Sequence, residues 1–295
     1  QVSGDKSLSI RWVLLASQAI GKSKAYNLLM SEDVVAALEA IKKLGIKVLV
    51  HKNHCEIFGN GINGFKYKNG LVIDAKNSGT LGRLILGLLI KSPKKIKIIG
   101  DKSLSKRDFS RVTLPLEKFG AKFHYKTKNK LPLSILGSQS SRGINFIENK
   151  GSAQCKSSVM LAALNSSGTT FIKAKKSRNH SELLFKYLKI PIKIKKTKKY
   201  DFINIKKPKK INAFNYQIPG DLSSSAFFMV LTILTNNSKL LIKNVNINPS
   251  RIGVITILKK MGAKIFLKNK RNYRGEKISD ILIQSSKNLK SINCP

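Results

Sequence analysis

Four segments of the chain start with small polar residues and continue into a long apolar run. They are 6–20, 77–90, 152–164 and 221–234. Serine, threonine, asparagine and aspartate cap helix N-termini, so each segment predicts a helix that begins at its polar residues. The first turn of a helix exposes N–H groups without partners and carries the positive end of the helix dipole. Several such helix starts directed at one point would therefore bind an anion.

Lysine and arginine side chains close to the predicted helix starts would add full positive charge to such a site. The candidates are Lys6, Arg11, Arg83, Arg107, Arg111, Lys156 and Arg178. For any single helix, the alternative is that the serines only cap the helix and the cations only face water. Four starts of the same type favour the anion-binding interpretation.

The spacing of these segments predicts a repeated structural unit. Their starts at 6, 77, 152 and 221 are separated by 71, 75 and 69 residues. A second amphipathic helix, followed by β-branched residues, recurs in 31–48, 109–123, 180–194 and 249–265. The residues that follow these second helices are Gly45, Gly120, Lys189 and Gly262. Glycine at such a place predicts a left-handed residue that ends the helix. The sequence therefore predicts an α/β (α+β) fold with four copies of one unit.

The composition is typical of a folded protein. Of its 295 residues, 42% are hydrophobic, which is enough for two compact domains. No apolar stretch approaches the roughly 20 residues of a membrane span, and the N-terminal sequence lacks a signal-peptide layout, so we expect a soluble cytoplasmic protein. Cys55, Cys155 and Cys294 are far apart and form no CxxC pair. We therefore expect reduced thiols, with neither a disulfide framework nor a zinc knuckle.

The formal net charge of +41 makes nucleic-acid binding an alternative function, because lysines along a phosphate backbone release counterions. However, only 9 of the 56 basic residues are arginines, whose planar fork favours base and phosphate recognition. The lysines are also spread over every segment. We therefore predict no nucleic-acid partner, and we interpret the basic runs at 192–199 and 205–210 as solvated turns and strand edges.

Eight motifs in order along the whole chain resemble the 5-enolpyruvylshikimate-3-phosphate synthase family. They are VSGDKSLSIRWVLLAS, NSGTLGRLILGLL, GDKSLSKRDFSRVTLPLEKFGAKF, LPLSILG, SAQCKSSVMLAAL, SRNHSE, IPGDLSSSAFFMV and NPSRIGVITILKKMGAKI. The resemblance implies transfer of the enolpyruvyl group of phosphoenolpyruvate to the 5-hydroxyl of shikimate 3-phosphate, with release of phosphate. This is a step of the shikimate pathway to aromatic amino acids. It implies no metal and no organic cofactor, and we expect a monomer.

The resemblance also implies an enolpyruvyl-transferase fold, in which six βαβαββ-type units form two similar domains. About four of the six units are then expected in this chain. Residues 6–221 would form a complete three-unit substrate-binding domain, and 1–5 with 222–295 a partial second domain. The family's proton-transfer carboxylate and further phosphoenolpyruvate-binding cations are expected beyond residue 295. An inactive fragment of the enzyme is therefore an alternative function.

The resemblance assigns site residues position by position. The positions for shikimate 3-phosphate are Lys6, Ser7, Arg11, Ser152, Ala153, Gln154 and Arg178. Those for phosphoenolpyruvate are Lys6, Asn77, Gly79, Thr80, Arg107 and Gln154. Lys6 matches the catalytic lysine that contacts both substrates. Gly79 matches the glycine type of glyphosate-sensitive members, so we expect an intact version of the enzyme to be inhibited by glyphosate.

The sequence departs from the family pattern at Ser3, Trp12, Asp108 and Asn179. Asp108 is expected to matter most, because a carboxylate beside Arg107 could pair with it and weaken anion binding. The sister enolpyruvyl transferase that acts on UDP-N-acetylglucosamine is the nearest rival. That family carries a reactive cysteine in the loop that corresponds to 100–107, where this chain has none.

Overall fold

A computed structural model of the chain describes residues 1–293, which form helices and strands along their whole length. In chain order they are α1 (Lys6–Ser17), β1 (Ile20–Tyr26), α2 (Glu32–Lys43), β2 (Lys47–Val50), β3 (His54–Asn60), β4 (Val72–Asp74), α3 (Gly79–Leu88), β5 (Ile96–Ile99), α4 (Lys102–Ser105), α5 (Ser110–Glu117), β6 (Lys122–Tyr125), β7 (Leu133–Leu136), β8 (Asn145–Glu148), α6 (Ala153–Ala163), β9 (Thr169–Lys175), α7 (His180–Tyr187), β10 (Ile192–Lys196), β11 (Tyr200–Lys206), β12 (Asn215–Gln217), α8 (Leu222–Leu234), β13 (Lys239–Asn246), α9 (Gly253–Lys260), β14 (Lys264–Tyr273) and β15 (Glu276–Gln284). The four predicted polar starts lie at the beginnings of α1, α3, α6 and α8.

Three of the sheets repeat one topology, which confirms the predicted α/β unit. Their strand orders are β12-β1-β3-β2, β4-β5-β7-β6 and β8-β9-β11-β10. In each sheet the first pair of strands is parallel, and the other two pairs are antiparallel. The fourth sheet has the order β13-β15-β14. The first sheet is completed by β12, which lies far from β1 in the sequence, so the ends of this three-sheet region meet.

The ends of the second helices have the predicted left-handed conformation. The φ angles are +84° at Gly45, +96° at Gly120, +55° at Lys189 and +96° at Gly262. Lys189 therefore adopts, with a Cβ, the conformation that glycine adopts without steric cost in the other three copies.

Buried apolar side chains form two separate clusters, and the chain passes from the first to the second at residues 219–221. The first extends from Leu8 to Ile218, and α1 lies at its centre with eleven of its twelve residues buried. Helices α3 and α6 cross closely in this core, where a Cβ at Gly87 would lie only 2.1 Å from the carbonyl oxygen of Ser158. The second cluster extends from Leu222 to Ile283. These two cores support the predicted domain boundaries, which stay a prediction.

The chain passes between the two cores at two adjacent points. The Asp5 N–H donates to the carbonyl of Pro219 over 2.8 Å, and the Asp221 N–H donates to the carbonyl of Ser3 over 2.9 Å. Gly220 also bridges Val245 at the edge of the fourth sheet. The starts of α1 and α8 are therefore tied together by backbone hydrogen bonds.

Two of the three cysteines are buried free thiols, Cys55 and Cys155, as the spacing predicted. Cys294 lies outside the described residues. Among residues 1–293, no helix combines the length and the apolar character that crossing a membrane requires.

Helix α8 exposes much of its apolar surface. Phe227 is 80% exposed, Leu231 64% and Leu234 67%. Contiguous apolar surface of this kind drives association in water. The contacts within residues 1–293 leave this face of α8 uncovered.

We predict that the 295-residue chain self-associates through this face of α8. The double substitution Phe227→Lys with Leu231→Lys should reduce the self-associated fraction in sedimentation velocity, because two charges interrupt the apolar surface. Ile147→Lys is the matched control, since Ile147 is also an exposed apolar residue (59%) but lies on β8, away from α8. A wild-type chain that sediments as a monomer at every concentration would contradict the prediction.

Candidate anion-binding site

Ten described residues line a cavity of about 380 Å³, called here the central cavity. They are Ser7, Arg11, Thr80, Gly151, Ser152, Ala153, Gln154, Ser177, Arg178 and Ser250. All residues predicted for shikimate 3-phosphate are in this set except Lys6. Thr80 and Gln154 of the phosphoenolpyruvate set line it as well. The structure thus brings together residues from five separate segments of the chain.

Three helices of the first core begin at the central cavity. Ser7, Thr80 and Ala153 lie in the first turns of α1, α3 and α6. The cap hydrogen bonds run from Leu8 N to Asp5 Oδ1 (2.9 Å), from Leu81 N to Ser78 Oγ (3.2 Å) and from Cys155 N to Ser152 Oγ (3.3 Å). Each cap pairs one first-turn N–H and leaves others available. The positive ends of three helix dipoles therefore meet at one cavity, which favours an anionic ligand.

Arg11 is a buried cation in the wall of the central cavity. Its Nε donates to Ser181 Oγ over 2.8 Å, its Nη2 to Ser157 Oγ over 3.0 Å, and its Nη1 to the carbonyl of Ser7 over 3.0 Å. Burial lowers the pKa of Arg11 to about 10, although the nearby Glu182 carboxylate acts to raise it. The guanidinium is therefore charged at neutral pH, although all three hydrogen-bond acceptors are neutral.

Gln154 connects α6 to the start of α3. It accepts a hydrogen bond from Arg83 Nη1 over 2.9 Å and donates one to Thr80 Oγ1 over 3.0 Å. Burial lowers the pKa of Arg83, and the like charges of Arg107 and Arg111 lower it further. An anion placed among these cations would relieve their mutual repulsion.

The space beside Gly79 is bounded by two guanidinium groups. A Cβ at this position would lie 2.9 Å from Arg83 Nη1 and 3.1 Å from Arg107 Nη1. Asn77 accepts a hydrogen bond from Arg107 Nη2 over 3.5 Å and donates one to Asp101 Oδ2 over 2.5 Å. The lack of a side chain at Gly79 therefore leaves room for a ligand next to the two arginines.

Two of the candidate lysines, Lys6 and Lys156, do not line the central cavity. Lys6 Nζ is 3.2 Å from Asp33 Oδ2 and does not line the central cavity, so its catalytic role stays a prediction. Lys156 is fully buried, with its Nζ 2.6 Å from Glu182 Oε1. The prediction that Lys156 binds an anion was wrong, because a carboxylate in the core neutralises its charge.

Asp108 caps the start of α5 instead of pairing with Arg107. Its carboxylate accepts hydrogen bonds from the Ser110 N–H over 2.7 Å and from Ser110 Oγ over 2.8 Å. Within residues 1–293 it forms no ion pair with Arg107. The expected weakening of anion binding by Asp108 therefore has no structural support, because the local cap engages both carboxylate oxygens.

Comparisons with known proteins identify the family of the chain. The family model described as EPSP synthase (3-phosphoshikimate 1-carboxyvinyltransferase) matches residues 1–294. The chain belongs to this family. It is 42% identical over 296 residues to a 3-phosphoshikimate 1-carboxyvinyltransferase of Ruthia magnifica subsp. Calyptogena magnifica, covering 100% of this chain and 66% of that relative. It is 35% identical over 293 residues to the protein of the same name from Bacillus subtilis (strain 168), covering 99% of this chain and 67% of the relative.

A solved structure of the same family has the same fold. The EPSP synthase from Acinetobacter baumannii superimposes with a TM-score of 0.89 at 35% sequence identity, covering 100% of this chain and 66% of that chain. The predicted family and its enolpyruvyl-transferase fold are therefore confirmed. The chain spans about two thirds of the length of the relatives it matches.

Several functional neighbours in this family member were missed by the sequence analysis. Ser157 and Ser181, which hold Arg11, lie inside the SAQCKSS and SRNHSE motifs, and Ser177 and Ser250 of the cavity wall lie in SRNHSE and NPSR. The motifs that contain these serines could have identified them from the sequence. Glu276 had no such signal, because no motif surrounds it.

Glu276 joins the two cores through a buried hydrogen-bond network. Its Oε1 lies 2.6 Å from His180 Nδ1, and its Oε2 accepts from Asn246 Nδ2 over 3.2 Å and from Asn248 Nδ2 over 3.0 Å. Asn248 Nδ2 also donates to Asn179 Oδ1 over 2.8 Å. Since Asn179 follows Arg178 and Asn248 lies two residues before Ser250, the network fixes the segments that carry these two cavity residues.

We predict that Glu276→Gln destabilises the protein in a pH-dependent way. Burial raises the pKa of Glu276, but hydrogen bonds from His180, Asn248 and Asn246 outweigh it and hold the pKa below its ordinary value of 4.5. The ionised carboxylate therefore stabilises the fold above pH 4.5, and this stabilisation is lost as the pH falls through the folded-state pKa. At neutral pH the substitution should lower the free energy of unfolding by about 3 kcal/mol.

Urea unfolding followed by the fluorescence of Trp12, the only tryptophan, measures this effect. The difference between the two proteins should shrink below pH 4.5. Glu39→Gln is the control, because Glu39 is an exposed carboxylate paired with Lys42. Equal stability of wild type and Glu276→Gln at neutral pH would show that the network does not hold the cores together.

Proposed function

We propose that this chain carries the substrate-binding half of an enzyme that transfers the enolpyruvyl group of phosphoenolpyruvate to the 5-hydroxyl of shikimate 3-phosphate, releasing phosphate. The observation that carries the proposal is the meeting of three helix N-termini with Arg11 and Arg178 at the central cavity. Both substrates and the released phosphate are anions, which such a site favours. The names of the relatives supply the reaction class.

Shikimate 3-phosphate is assigned to the central cavity itself. Arg178 is an exposed guanidinium at its rim, and within residues 1–293 it forms no ion pair with a carboxylate, so its fork is available to a phosphate. The start of α6, with Ser152 and Ala153, offers backbone N–H groups, and Gln154 offers an amide for a ring hydroxyl. Arg11 adds a fixed positive charge from the wall.

Phosphoenolpyruvate is assigned to the space beside Gly79, next to the central cavity. Arg83 and Arg107 bound this space, while Asn77 and Thr80 lie at the same helix start. Lys6 would reach both substrates only by leaving Asp33. Its side chain is 48% exposed, and a surface ion pair of this kind contributes little stability, so this movement costs little.

The proton transfers of the reaction need groups other than those in the cavity wall. None of the ten described lining residues is an aspartate or a glutamate. We therefore assign substrate binding and charge stabilisation to this chain, and proton transfer to residues outside it. We further propose that the enzyme is a cytoplasmic monomer without a nucleic-acid partner. In support of the last point, the basic run at 192–199 begins with β10, an edge strand of its sheet, where lysines oppose pairing with another strand.

We predict that the chain binds shikimate 3-phosphate in isothermal titration calorimetry, and that Arg178→Ala weakens this binding about tenfold or more. The reason is the loss of charge-assisted hydrogen bonds to the phosphate. Arg142→Ala is the matched control, because Arg142 is also an exposed arginine but does not line the central cavity. Equal loss in both variants would indicate non-specific attraction to the +41 charge, which the nucleic-acid alternative predicts.

Catalysis is tested in a chimera that continues this chain with the part of the Ruthia magnifica relative that it does not match. We predict phosphate release from both substrates by the chimera and none by the chain alone. Phosphate release by the chain alone would overturn the assignment of proton transfer. A folded chimera that binds shikimate 3-phosphate without turnover would favour the inactive-fragment alternative.

The same chimera tests the assignment of the space beside Gly79. Glyphosate should compete with phosphoenolpyruvate, and Gly79→Ala should weaken both ligands while leaving the KM for shikimate 3-phosphate nearly unchanged. Gly82→Ala is the control on the same helix, because a Cβ at position 82 would lie 3.4 Å from Phe109 and not beside the arginines. Absence of competition by glyphosate would refute the assignment.

A further inference from the structure

A second cluster of potential ligand atoms lies away from the central cavity, at the turn between β2 and β3. It consists of His51, His54 and Glu56 in the segment HKNHCE. One donor atom from each residue lies within 4.8 Å of the other two. None of the three lines the central cavity. We propose that these residues, called here the hairpin triad, bind a divalent transition metal of the Zn²⁺ class.

The strand geometry places the three side chains together. His54 and Glu56 are two residues apart on β3, and side chains two apart in a strand share one face. The turn brings His51 back beside them, with its N–H donating to the carbonyl of His54 over 2.8 Å. The two imidazole rings are stacked, with centroids 4.4 Å apart. The backbone therefore holds the triad without help from a metal.

The donor distances fit a small four-coordinate ion. His54 Nε2 lies 3.4 Å from Glu56 Oε1, and His51 Nε2 lies 4.0 Å from Glu56 Oε2. Ligand bonds of about 2.0–2.1 Å in a tetrahedral site separate the donor atoms by roughly 3.4 Å. His51 needs to approach by about half an ångström, and its side chain is 46% exposed and thus free to turn.

The chemistry of the cluster selects among metals. Two imidazoles and one carboxylate suit Zn²⁺, Ni²⁺ or Cu²⁺, whereas Mg²⁺ and Ca²⁺ need several oxygen ligands. Cys55, between the two β3 ligands, faces the opposite side and is 1% exposed. The triad is therefore a His₂Glu site without sulfur.

Two lysines also interact with Glu56, and both approach the same oxygen. Lys24 Nζ lies 2.9 Å and Lys22 Nζ 3.6 Å from Oε1. Oε2, which lies 4.0 Å from His51 Nε2, is the expected ligand atom, so His54 Nε2, now 3.4 Å from Oε1, has to turn toward it.

The fourth coordination position is open to a neighbouring cavity. Both histidines line a cavity of about 400 Å³ together with Tyr26, Lys52 and Gln217. Three protein ligands with one open position is the arrangement in which Zn²⁺ keeps a water or an exogenous ligand. The proposed site is thus accessible from solvent and independent of the proposed enzymatic reaction.

Calorimetric titration of the metal-free chain with ZnCl₂ tests the proposal. One Zn²⁺ per chain should bind saturably, and His51→Ala or His54→Ala should each weaken binding at least tenfold, because one of three ligands is lost. His124→Ala, an exposed histidine on β6 in another sheet, should leave binding unchanged. The far-ultraviolet circular dichroism of each variant checks that it is folded.

A second measurement uses Co²⁺, whose visible absorption reports tetrahedral nitrogen and oxygen ligation. The wild type and His124→Ala should give this spectrum, and the two triad variants should not. Absence of saturable Zn²⁺ binding by the folded wild type would overturn the proposal. Binding that survives both triad substitutions, or that His124→Ala abolishes, would also overturn it.

Discussion

The buried guanidinium of Arg11 is the interaction on which the candidate site depends. It ties α1 to α6 through Ser157 and to α7 through Ser181, so one charged group connects helices of two repeated units. A buried charge is costly unless polar partners replace its water. Here the partners are hydroxyl groups and a carbonyl, which solvate the guanidinium without cancelling its charge. The positive charge therefore remains available to an anion in the central cavity.

The same distinction separates the binding cations from the structural ones elsewhere in the chain. Lys156 meets Glu182 in the core, and Arg251 Nη1 lies 3.1 Å from Asp5 Oδ2 at the junction between the two cores. In both cases a carboxylate neutralises the cation. Arg83, by contrast, donates to the amide of Gln154, which carries no charge. In Arg11 and Arg83 the neutral partners leave the charge available to a ligand, whereas in Lys156 and Arg251 the acidic partners use the charge within the fold. Lys6, which is paired with Asp33 at the surface, does not follow this pattern.

The repeat could be predicted from the sequence because it follows from local rules: polar helix starts and left-handed helix ends recur every 69 to 75 residues. The substrate-site residues, Ser152 and Arg178 among them, were assigned from the resemblance of their motifs to the family. The partner of each cation could not be predicted in this way. Lys156 occurs one turn into a helix just as Arg11 does, and only packing shows that one faces Glu182 and the other the cavity. Glu276 was missed because its partners lie about 30 and 96 residues away.

If the starts of α1, α3 and α6 form one anion site, their amides respond to the same binding event. Amide chemical shifts of the ¹⁵N-labelled chain, followed during titration with shikimate 3-phosphate, measure this response. We expect the amides of Ser7, Thr80 and Gln154 to shift together and to saturate with one shared Kd. Shifts that are confined to surface lysine segments, or that fail to saturate at these three residues, would contradict it.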